Sequence, residues 1–387
     1  MELDCNGREE TMLRDSARRA LANAIDRERL CRDEALDQAS LDRAWSVAVD
    51  MGWTGILVPS ECGGLGLGVA EASVICEEMG RALFPGPFTA TAILAAALIS
   101  RWPATPDRNE ALSSLAAGTM RIGMAGLAEI ANARGRAPLS DRGIRRDLVE
   151  FPEAATHYLI VRGNAEAADG TPFQTLLLPV ASGSATITRR QPLDPTCPIA
   201  TVEIVDIPNL GLLQGEIAAE EMGRLAAIGH VAGASELVGI AGAALDMAVA
   251  YAKERSQFGV PIGSFQAIKH RLVDCFVLLE NARSATQHAA IECDAGGADC
   301  TLAVDAARSA AIDAALRITA DCIQIHGALG FSSEHAAHLY LKRARRLAAG
   351  LGGSSAARRA IGARLAELAL RAQDELFSSS SAAATPA

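Results

Sequence analysis

The sequence predicts an α+β fold that is mainly α, with an N-terminal helical domain, a small middle β-domain and a C-terminal antiparallel helical bundle. Three observations predict this order. Helical periodicity dominates residues 1–119 and 216–377, whereas short β-type runs separated by turn signals occupy residues 120–215. Half of the 387 residues are apolar but only 4% are aromatic, and alanine is the commonest apolar residue, which favours closely packed helices.

The N-terminal domain contains two clear helical patterns. Residues 69–83 place acidic and apolar side chains on opposing faces, and residues 89–102 predict a helix that is buried nearly all round. Before the first of them, residues 63–68 have the sequence GGLGLG. A dinucleotide-binding loop would need a preceding strand and a third glycine where Val69 stands, so a flexible turn is the better interpretation.

The middle domain has β-type runs at residues 157–161, 175–180 and 201–207, which predict a mostly antiparallel sheet. The next part of the chain returns to long helical patterns. Short breaks rich in glycine, serine and proline separate four or five helices there, as in an antiparallel bundle. The last segment, residues 378–387, has Ser/Ala/Pro low complexity and predicts a disordered tail.

Composition limits the possible partners and location. The formal charge of −10 argues against a nucleic acid or an anionic membrane as the main partner. Nine scattered cysteines without a CxxC do not form a disulfide framework, and the N-terminus has no apolar signal region, so we expect a cytoplasmic protein. The apolar stretch 225–252 contains His230 and Glu236, which indicates a buried bundle helix rather than a membrane span.

Two segments of the C-terminal part could carry chemistry. In the first, Arg255 ends a helix, where its planar guanidinium could donate two hydrogen bonds to a diphosphate. An arginine that is solvated or paired with Glu254 is the plainer alternative, and spacing alone favours it. In the second, a helix ends at Gln324 and a glycine-bearing loop follows, whose backbone amides could approach a ligand closely.

The second segment also contains His335 and His338, which could place two metal ligands on one helix face. No further ligand stands at a matching spacing, so we expect no metal. The basic run at residues 342–346 predicts a solvated or ligand-facing stripe.

Taken together, these segments resemble the acyl-CoA dehydrogenase family. Its R-x-Q-F-G-x-P-I-x-x-F-Q-x-x-K-H pattern matches residues 255–270, and its Q-x-H-G-x-x-G-F-x-x-E-H pattern matches residues 324–335. Residues 53–68 are similar to the family's first-domain loop, so the resemblance covers nearly the whole chain. The GFSSEH form resembles a bacterial branch that includes members working as pairs of unlike subunits.

The resemblance implies FAD, bound between the β-domain, the bundle and a neighbouring subunit. It also implies an acyl-CoA substrate, an electron-transferring flavoprotein or similar acceptor, and a homo- or hetero-oligomer with a family member. Three positions correspond to contacts with the neighbour's FAD and three to the loop that holds its adenine end. The first three are Arg255, Gln257 and Phe258, and the second three are Gln324, Gly327 and Ala328.

The family's reaction is α,β-desaturation of an acyl-CoA thioester, in which a carboxylate removes the α-proton and the β-hydride passes to the flavin. Here the two positions at which the family places that carboxylate are Leu351 and Gly229, neither of which accepts a proton. In addition, Ala128 replaces a threonine that contacts the flavin. His230 is the first candidate for a relocated base and Glu334 the second.

Two functions therefore remain open, with the first as the family default. The chain is either an FAD-dependent acyl-CoA dehydrogenase that uses a relocated base, or a non-catalytic subunit of a heteromer that completes a partner's FAD site. Other flavin chemistry on the same scaffold is a distant third. The acyl substrate, the electron acceptor and the choice between homomer and heteromer do not follow from the sequence.

Overall fold

The computed structural model describes residues 3–32, 37–125, 143–163, 172–180, 185–205, 213–297 and 300–382. Its first part is helical, and a π-helical segment, Thr89–Ala95, leads directly into the fifth helix. All residues from 90 to 99 are buried, which confirms the helix predicted to be buried nearly all round. The helices of this part are α1 (Leu3–Ala24), α2 (Arg27–Arg32), α3 (Gln38–Asp50), α4 (Val69–Ala82), α5 (Ala96–Ile99) and α6 (Pro106–Ala116).

The middle part is built from two small sheets. In the four-stranded sheet the order is β1-β3-β4-β7, and in the three-stranded sheet it is β2-β6-β5. All pairs in these sheets are antiparallel except β1 with β3. Alternate residues of both sheets form one apolar cluster, because successive side chains of a strand point to opposite faces. The strands are β1 (Ile122–Gly123), β2 (Ile144–Glu150), β3 (His157–Arg162), β4 (Phe173–Pro179), β5 (Ala185–Arg190), β6 (Ile199–Ile204) and β7 (Leu213–Ile217).

The last part is an antiparallel bundle around one central helix, α7, which packs against α4, α8 and α9. At 36 residues α7 is about 54 Å long. It is long and apolar enough to cross a membrane, but 78% of its most apolar window is buried inside the fold. The helices are α7 (Ala219–Glu254), α8 (Gln266–Ala295), α9 (Cys300–His326), α10 (Ala328–Phe331), α11 (Ala337–Gly350) and α12 (Gly353–Ala382).

The α+β, mainly α fold class predicted from the sequence is confirmed, with two local differences. Residues 63–68 form a turn, but backbone hydrogen bonds from Leu65, Gly66 and Leu67 to residues 55–58 fix it, so it is not flexible. The final helix α12 continues to Ala382, five residues into the predicted disordered tail, because alanine and serine continue a helix that has already formed. Residues 126–142, and with them Ala128, lie outside the described residues.

Candidate functional site

A cavity of about 430 Å³ opens where the first helices, the β-domain and the bundle meet. Its walls come from α4, residues 84–90, the end of β2, α7 and the C-terminal half of α11. Most of the lining is apolar, which suits a ligand with a large hydrophobic part.

Leu351 forms one wall of the cavity at the end of α11 and is only 2% exposed. It packs on Gly233 of α7, where an added Cβ would lie 2.9 Å from Leu351 Cδ2. Gly229 is buried one turn earlier on the same helix face. The two positions that the family resemblance assigns to the base are therefore close together beside the cavity, and neither has a carboxylate.

The carboxylates among the described lining residues are Glu150 and Glu236, and both are paired with arginines of α11. Arg343 is only 2% exposed, and Glu236 Oε1 accepts a hydrogen bond of 2.9 Å from its Nη1. The other guanidinium hydrogens of Arg343 are donated to Asp194 Oδ2 at 2.5 Å, Thr196 Oγ1 at 2.5 Å and two backbone oxygens. All five donors of this buried guanidinium are therefore satisfied.

Arg346 extends the same network. Its Nη1 donates to Glu150 at 2.5 Å and its Nε to Asp194 at 3.3 Å. Burial alone would raise the pKa of Asp194, but the two guanidiniums outweigh it and hold that pKa below its ordinary value. The basic run was predicted as a solvated or ligand-facing stripe, and Arg343 and Arg346 do line the cavity. Both also belong to an ion network that joins α11 to the β-domain.

His230, the first candidate for a relocated base, does not line the cavity. Its Nε2 lies 3.2 Å from Arg308 Nη1, and Arg308 is also paired with Asp305 at 2.7 Å. Burial and then the charge of Arg308 lower the pKa of His230 to about 4, so the ring is neutral and accepts the arginine's hydrogen bond. Glu334 is exposed in the turn before α11 and also lies outside the cavity lining.

A protruding two-stranded hairpin follows α7, with β8 (Ser256–Gln257) paired to β9 (Val260–Pro261). Arg255, the C-cap of α7, and Gln257 are both exposed. None of the ion pairs within the described residues involves Arg255, so of the two forms of the plainer alternative the pairing with Glu254 is not formed, and the arginine is solvated. At the hairpin's tip Phe258 is 92% exposed with φ +54°, and its ring meets that of Phe265 edge to face.

The loop after Gln324 lies next to the same end of α7. Gln324 is exposed on the last turn of α9, and Gly327 has φ +60° with open space where a side chain would stand. Tyr251, one turn before Arg255, stacks on His326 with ring centroids 4.3 Å apart. The structure thus brings together the two segments that the sequence singled out separately. We call residues 255–258 and 324–328 the arm.

The arm and the cavity are separate sites. Gly233 and Arg255 lie on the one continuous helix α7, and the rise between them is roughly 33 Å. This is much longer than any side chain, so the arm cannot contact a ligand group held against Leu351 in the same subunit.

Comparisons with known proteins agree with this architecture. The chain matches the family models "Acyl-CoA dehydrogenase, N-terminal domain" over residues 7–119 and "Acyl-CoA dehydrogenase, C-terminal domain" over residues 224–366. It is 31% identical over 312 residues to the acyl-CoA dehydrogenase IpdE2 of Mycobacterium tuberculosis, covering 80% of this chain and 82% of IpdE2. The chain belongs to the acyl-CoA dehydrogenase family. That family consists of flavoprotein oxidoreductases of lipid metabolism.

A further relative is the acyl-CoA dehydrogenase FadE34 of Mycobacterium tuberculosis, 33% identical over 337 residues. The match covers 82% of this chain but only 43% of FadE34, so the chain spans less than half of that relative. Among solved structures, butyryl-CoA dehydrogenase from Megasphaera elsdenii matches with a TM-score of 0.78 and 22% identity, covering 92% of this chain and 97% of the other. The ChsE4-ChsE5 complex from Mycobacterium tuberculosis matches with a TM-score of 0.76, 20% identity and the same coverages.

The arm fits the family's FAD. The exposed guanidinium of Arg255, which lies outside the ion pairs of the described residues, suits a diphosphate. The open face of Phe258 suits a ring, and the bare backbone at Gly327 allows close approach. Gln257 and Gln324 add exposed amides that can donate or accept hydrogen bonds. Ala328 is exposed at the first position of α10 and leaves room beside Gly327.

Sequence reasoning did not find the ion network at the cavity. Asp194 and Glu150 are 149 and 196 residues away from their arginine partners, and only the folded chain brings them together. The position of Glu236 beside the cavity could have been predicted. It stands seven residues after Gly229 and therefore lies on the same face of α7.

Proposed function

We propose that this chain is the non-catalytic subunit of a heteromeric acyl-CoA dehydrogenase and completes the FAD site of a catalytic family member. One observation carries the proposal. The residues suited to a dinucleotide are exposed roughly 33 Å along α7 from a cavity whose base positions are Leu351 and Gly229. The arm, which can contribute to a neighbouring subunit, has residues suited to FAD. The chain's own cavity, in contrast, has no proton acceptor at the two base positions.

The absence of a base at these positions decides between two copies of this chain and an unlike partner. In an assembly of two copies, each arm would reach a cavity closed by Leu351, and neither cavity would have the family's carboxylate. A productive assembly therefore needs a partner with a glutamate or aspartate at one of those two positions. Such a partner is another member of the same family, because the two base positions are defined by the family's fold.

An exposed apolar surface extends from the arm along α8. Val273, Phe276 and Val277, spaced three and four residues apart on one helix face, are 59%, 55% and 50% exposed. Phe258 of the arm and Phe331, three residues after the arm in the chain, are 92% and 78% exposed. Exposed apolar residues of this kind mark protein interfaces.

The comparisons supply two further supports. The ChsE4-ChsE5 structure is a complex of two differently named proteins, so the fold occurs in assemblies of unlike chains. The part of FadE34 that this chain does not match is longer than the part that it matches. That length leaves room for a second unit of the same size in one polypeptide.

In the proposed complex the partner's carboxylate removes the α-proton of an acyl-CoA thioester. FAD, when bound, would supply the hydride acceptor, and an electron-transferring flavoprotein or a similar acceptor would receive the electrons. The contribution of this chain is binding and orientation. Arg255 would neutralise the cofactor's phosphates, Gln257 and Phe258 would contact its nucleoside part, and the backbone at Gln324 and Gly327 would hold the adenine end.

The proposal is tested by purifying the chain alone and together with a family member that has a glutamate or aspartate at one of the two base positions, then measuring flavin absorbance per protein and bleaching by a panel of acyl-CoAs. We expect no bleaching by the lone chain, and both bound flavin and bleaching in the complex. Arg255→Ala should deplete flavin from the complex, whereas the matched control Lys253→Ala, an exposed cation on the same helix end, should not. Full flavin content in an Arg255→Ala complex would contradict the proposal.

A second candidate function, an active dehydrogenase with a relocated base, is favoured by one observation. Glu236 lines the cavity one turn from Gly233, and the hydrogen bond it accepts from Arg343 engages Oε1. Its other oxygen is the best-placed proton acceptor among the described lining residues. Bleaching of flavin by the lone chain, abolished in Glu236→Gln and retained in His230→Gln, would establish this alternative.

A further inference from the structure

Two thiols lie side by side at the turn between α8 and α9. Cys293 stands near the end of α8 and Cys300 is the first residue of α9, and their sulfur atoms are 3.2 Å apart. Both cysteines are half-buried and free. A disulfide bond is about 2.05 Å long, so a small rotation of the two side chains brings the sulfurs to bonding distance.

Described backbone on either side of residues 298–299 positions the two thiols. Gly296 ends α8 with φ +63°, a left-handed conformation that favours glycine, and reverses the chain. Cys300 N then donates to Gly297 O at 3.2 Å, where α9 begins. The proximity therefore follows from local geometry, and only a short loop would be closed by a bond between the two sulfurs.

The same turn is attached to the helix that lines the cavity. Asp294, next to Cys293, accepts hydrogen bonds from Val69 N at 2.7 Å and Ala70 N at 2.9 Å, and so caps the N-terminus of α4. About two turns further along α4, Cys76 and Met79 form part of the cavity wall. A movement of the end of α8 would therefore move Asp294 and, through these two hydrogen bonds, the start of α4.

We propose that Cys293 and Cys300 form a reversible disulfide when the protein meets a peroxide or a low-molecular-weight disulfide. With hydrogen peroxide, one thiolate attacks an oxygen, the O–O bond breaks, and a sulfenic acid and one water form. The second thiol then attacks that sulfur, the S–S bond forms and a second water leaves, so two thiols are oxidised and one peroxide is reduced. With a low-molecular-weight disulfide, one thiolate attacks a sulfur and releases a thiol, and the second cysteine then displaces the other thiol as the S–S bond forms. Reduction by an excess of dithiol restores both thiols.

The two sulfurs are close enough for either one to resolve the other. Burial, followed by the neighbouring Cys300 thiol and nearby carboxylates, raises the pKa of the Cys293 thiol. One sulfur reacts with the oxidant and the other, 3.2 Å away, resolves the sulfenic acid. The finished bond links α8 to α9 and holds Asp294 against the first turn of α4.

The experiment treats the full chain, with its partner where one is needed for solubility, with hydrogen peroxide and separately with oxidised glutathione. Peptide mass spectrometry without reduction then identifies linked peptides. We expect a 293–300 cross-link that disappears on reduction and in the Cys293→Ser and Cys300→Ser variants, and that persists in Cys31→Ser, a matched change at another half-buried cysteine. Oxidation should raise Tm by about 3 °C and slow amide exchange at the start of α4.

Three results would overturn the inference. The first is separate glutathione adducts or overoxidation at both cysteines without a cross-link. The second is a cross-link that survives in either serine variant, because it would involve another cysteine. The third is an oxidised protein with unchanged Tm and unchanged exchange at residues 69–72, since the bond would then not restrain α4.

Discussion

The arm and the cavity use charged residues in opposite ways. At the arm, Arg255 is exposed, joins no ion pair of the described residues and stands beside a phenylalanine ring that is 92% exposed. At the cavity, Arg343 is 2% exposed and donates all five of its hydrogen bonds within the protein. One guanidinium is available to a ligand, whereas the other is already fully used by the fold.

This difference separates binding from stability. A guanidinium in water contributes little to folding, so Arg255 can be replaced at small cost to the fold and its effect should appear in cofactor affinity. A guanidinium that neutralises buried carboxylates cannot be removed without leaving those charges unpaired. Variants in the two regions should therefore change different measurements.

The largest expected effect is on stability at the cavity. Arg343→Ala leaves Asp194 and Glu236 without their main partner and should lower the free energy of unfolding by about 3–5 kcal/mol. Arg345→Ala, an exposed cation two residues away, should change it by less than about 0.5 kcal/mol. Urea unfolding of both variants measures this, and equal losses would show that Arg343 is not the centre of the network.

The next effect is a pH dependence of stability at His230. Its pKa is lowered from 6.5 to about 4 in the folded protein, so the unfolded chain binds the proton more tightly. The contribution of neutral His230 to the free energy of unfolding is therefore fully present above pH 6.5. It is lost as the pH falls towards 4, by about 3 kcal/mol in total. His230→Gln should remove this loss, whereas His288→Gln, at an exposed histidine, should leave it unchanged. A profile that keeps the same slope without His230 would assign the loss to another group.

At the arm the expected effect is on cofactor binding. A charge-assisted hydrogen bond is worth about 1.5–3 kcal/mol, so Arg255→Ala should weaken FAD binding to the complex by about 10- to 100-fold. Arg255→Lys should recover part of this loss, because an ammonium keeps the charge but not the planar pair of donors. Titration of the flavin-free complex with FAD measures both affinities. A change in unfolding free energy comparable to that of Arg343→Ala would contradict the separation of the two regions.

The sequence predicted the features that are local. The helix end at Arg255 and the loop after Gln324 are continuous patterns, and the structure forms both where they were expected, although the two-stranded hairpin after Arg255 was not predicted. The helical, β and helical order was also predictable, because periodicity and turn residues act over short distances. That the two segments meet through Tyr251 and His326 required the folded bundle.

The cavity could be predicted only in part. The family resemblance placed Leu351 and Gly229 at the base positions, but a single sequence does not show that Leu351 packs on Gly233. His230 was the first candidate base because of its place in the pattern, yet its ring is bound to Arg308 on another helix. Helical periodicity gives the face of a residue on its own helix, and the partner across the interface depends on tertiary packing.

The smallest expected effect distinguishes the two halves of the arm. Gln324 is exposed at the end of α9 and would contribute a neutral hydrogen bond, worth about 0.5–1.5 kcal/mol. Gln324→Ala should therefore weaken FAD binding by about 2- to 10-fold, less than Arg255→Ala. The matched control is Gln287→Ala on α8, whose amide is bonded to Glu10 within the chain. If Gln324→Ala weakened FAD binding as strongly as Arg255→Ala, the loop and not the guanidinium would dominate cofactor capture.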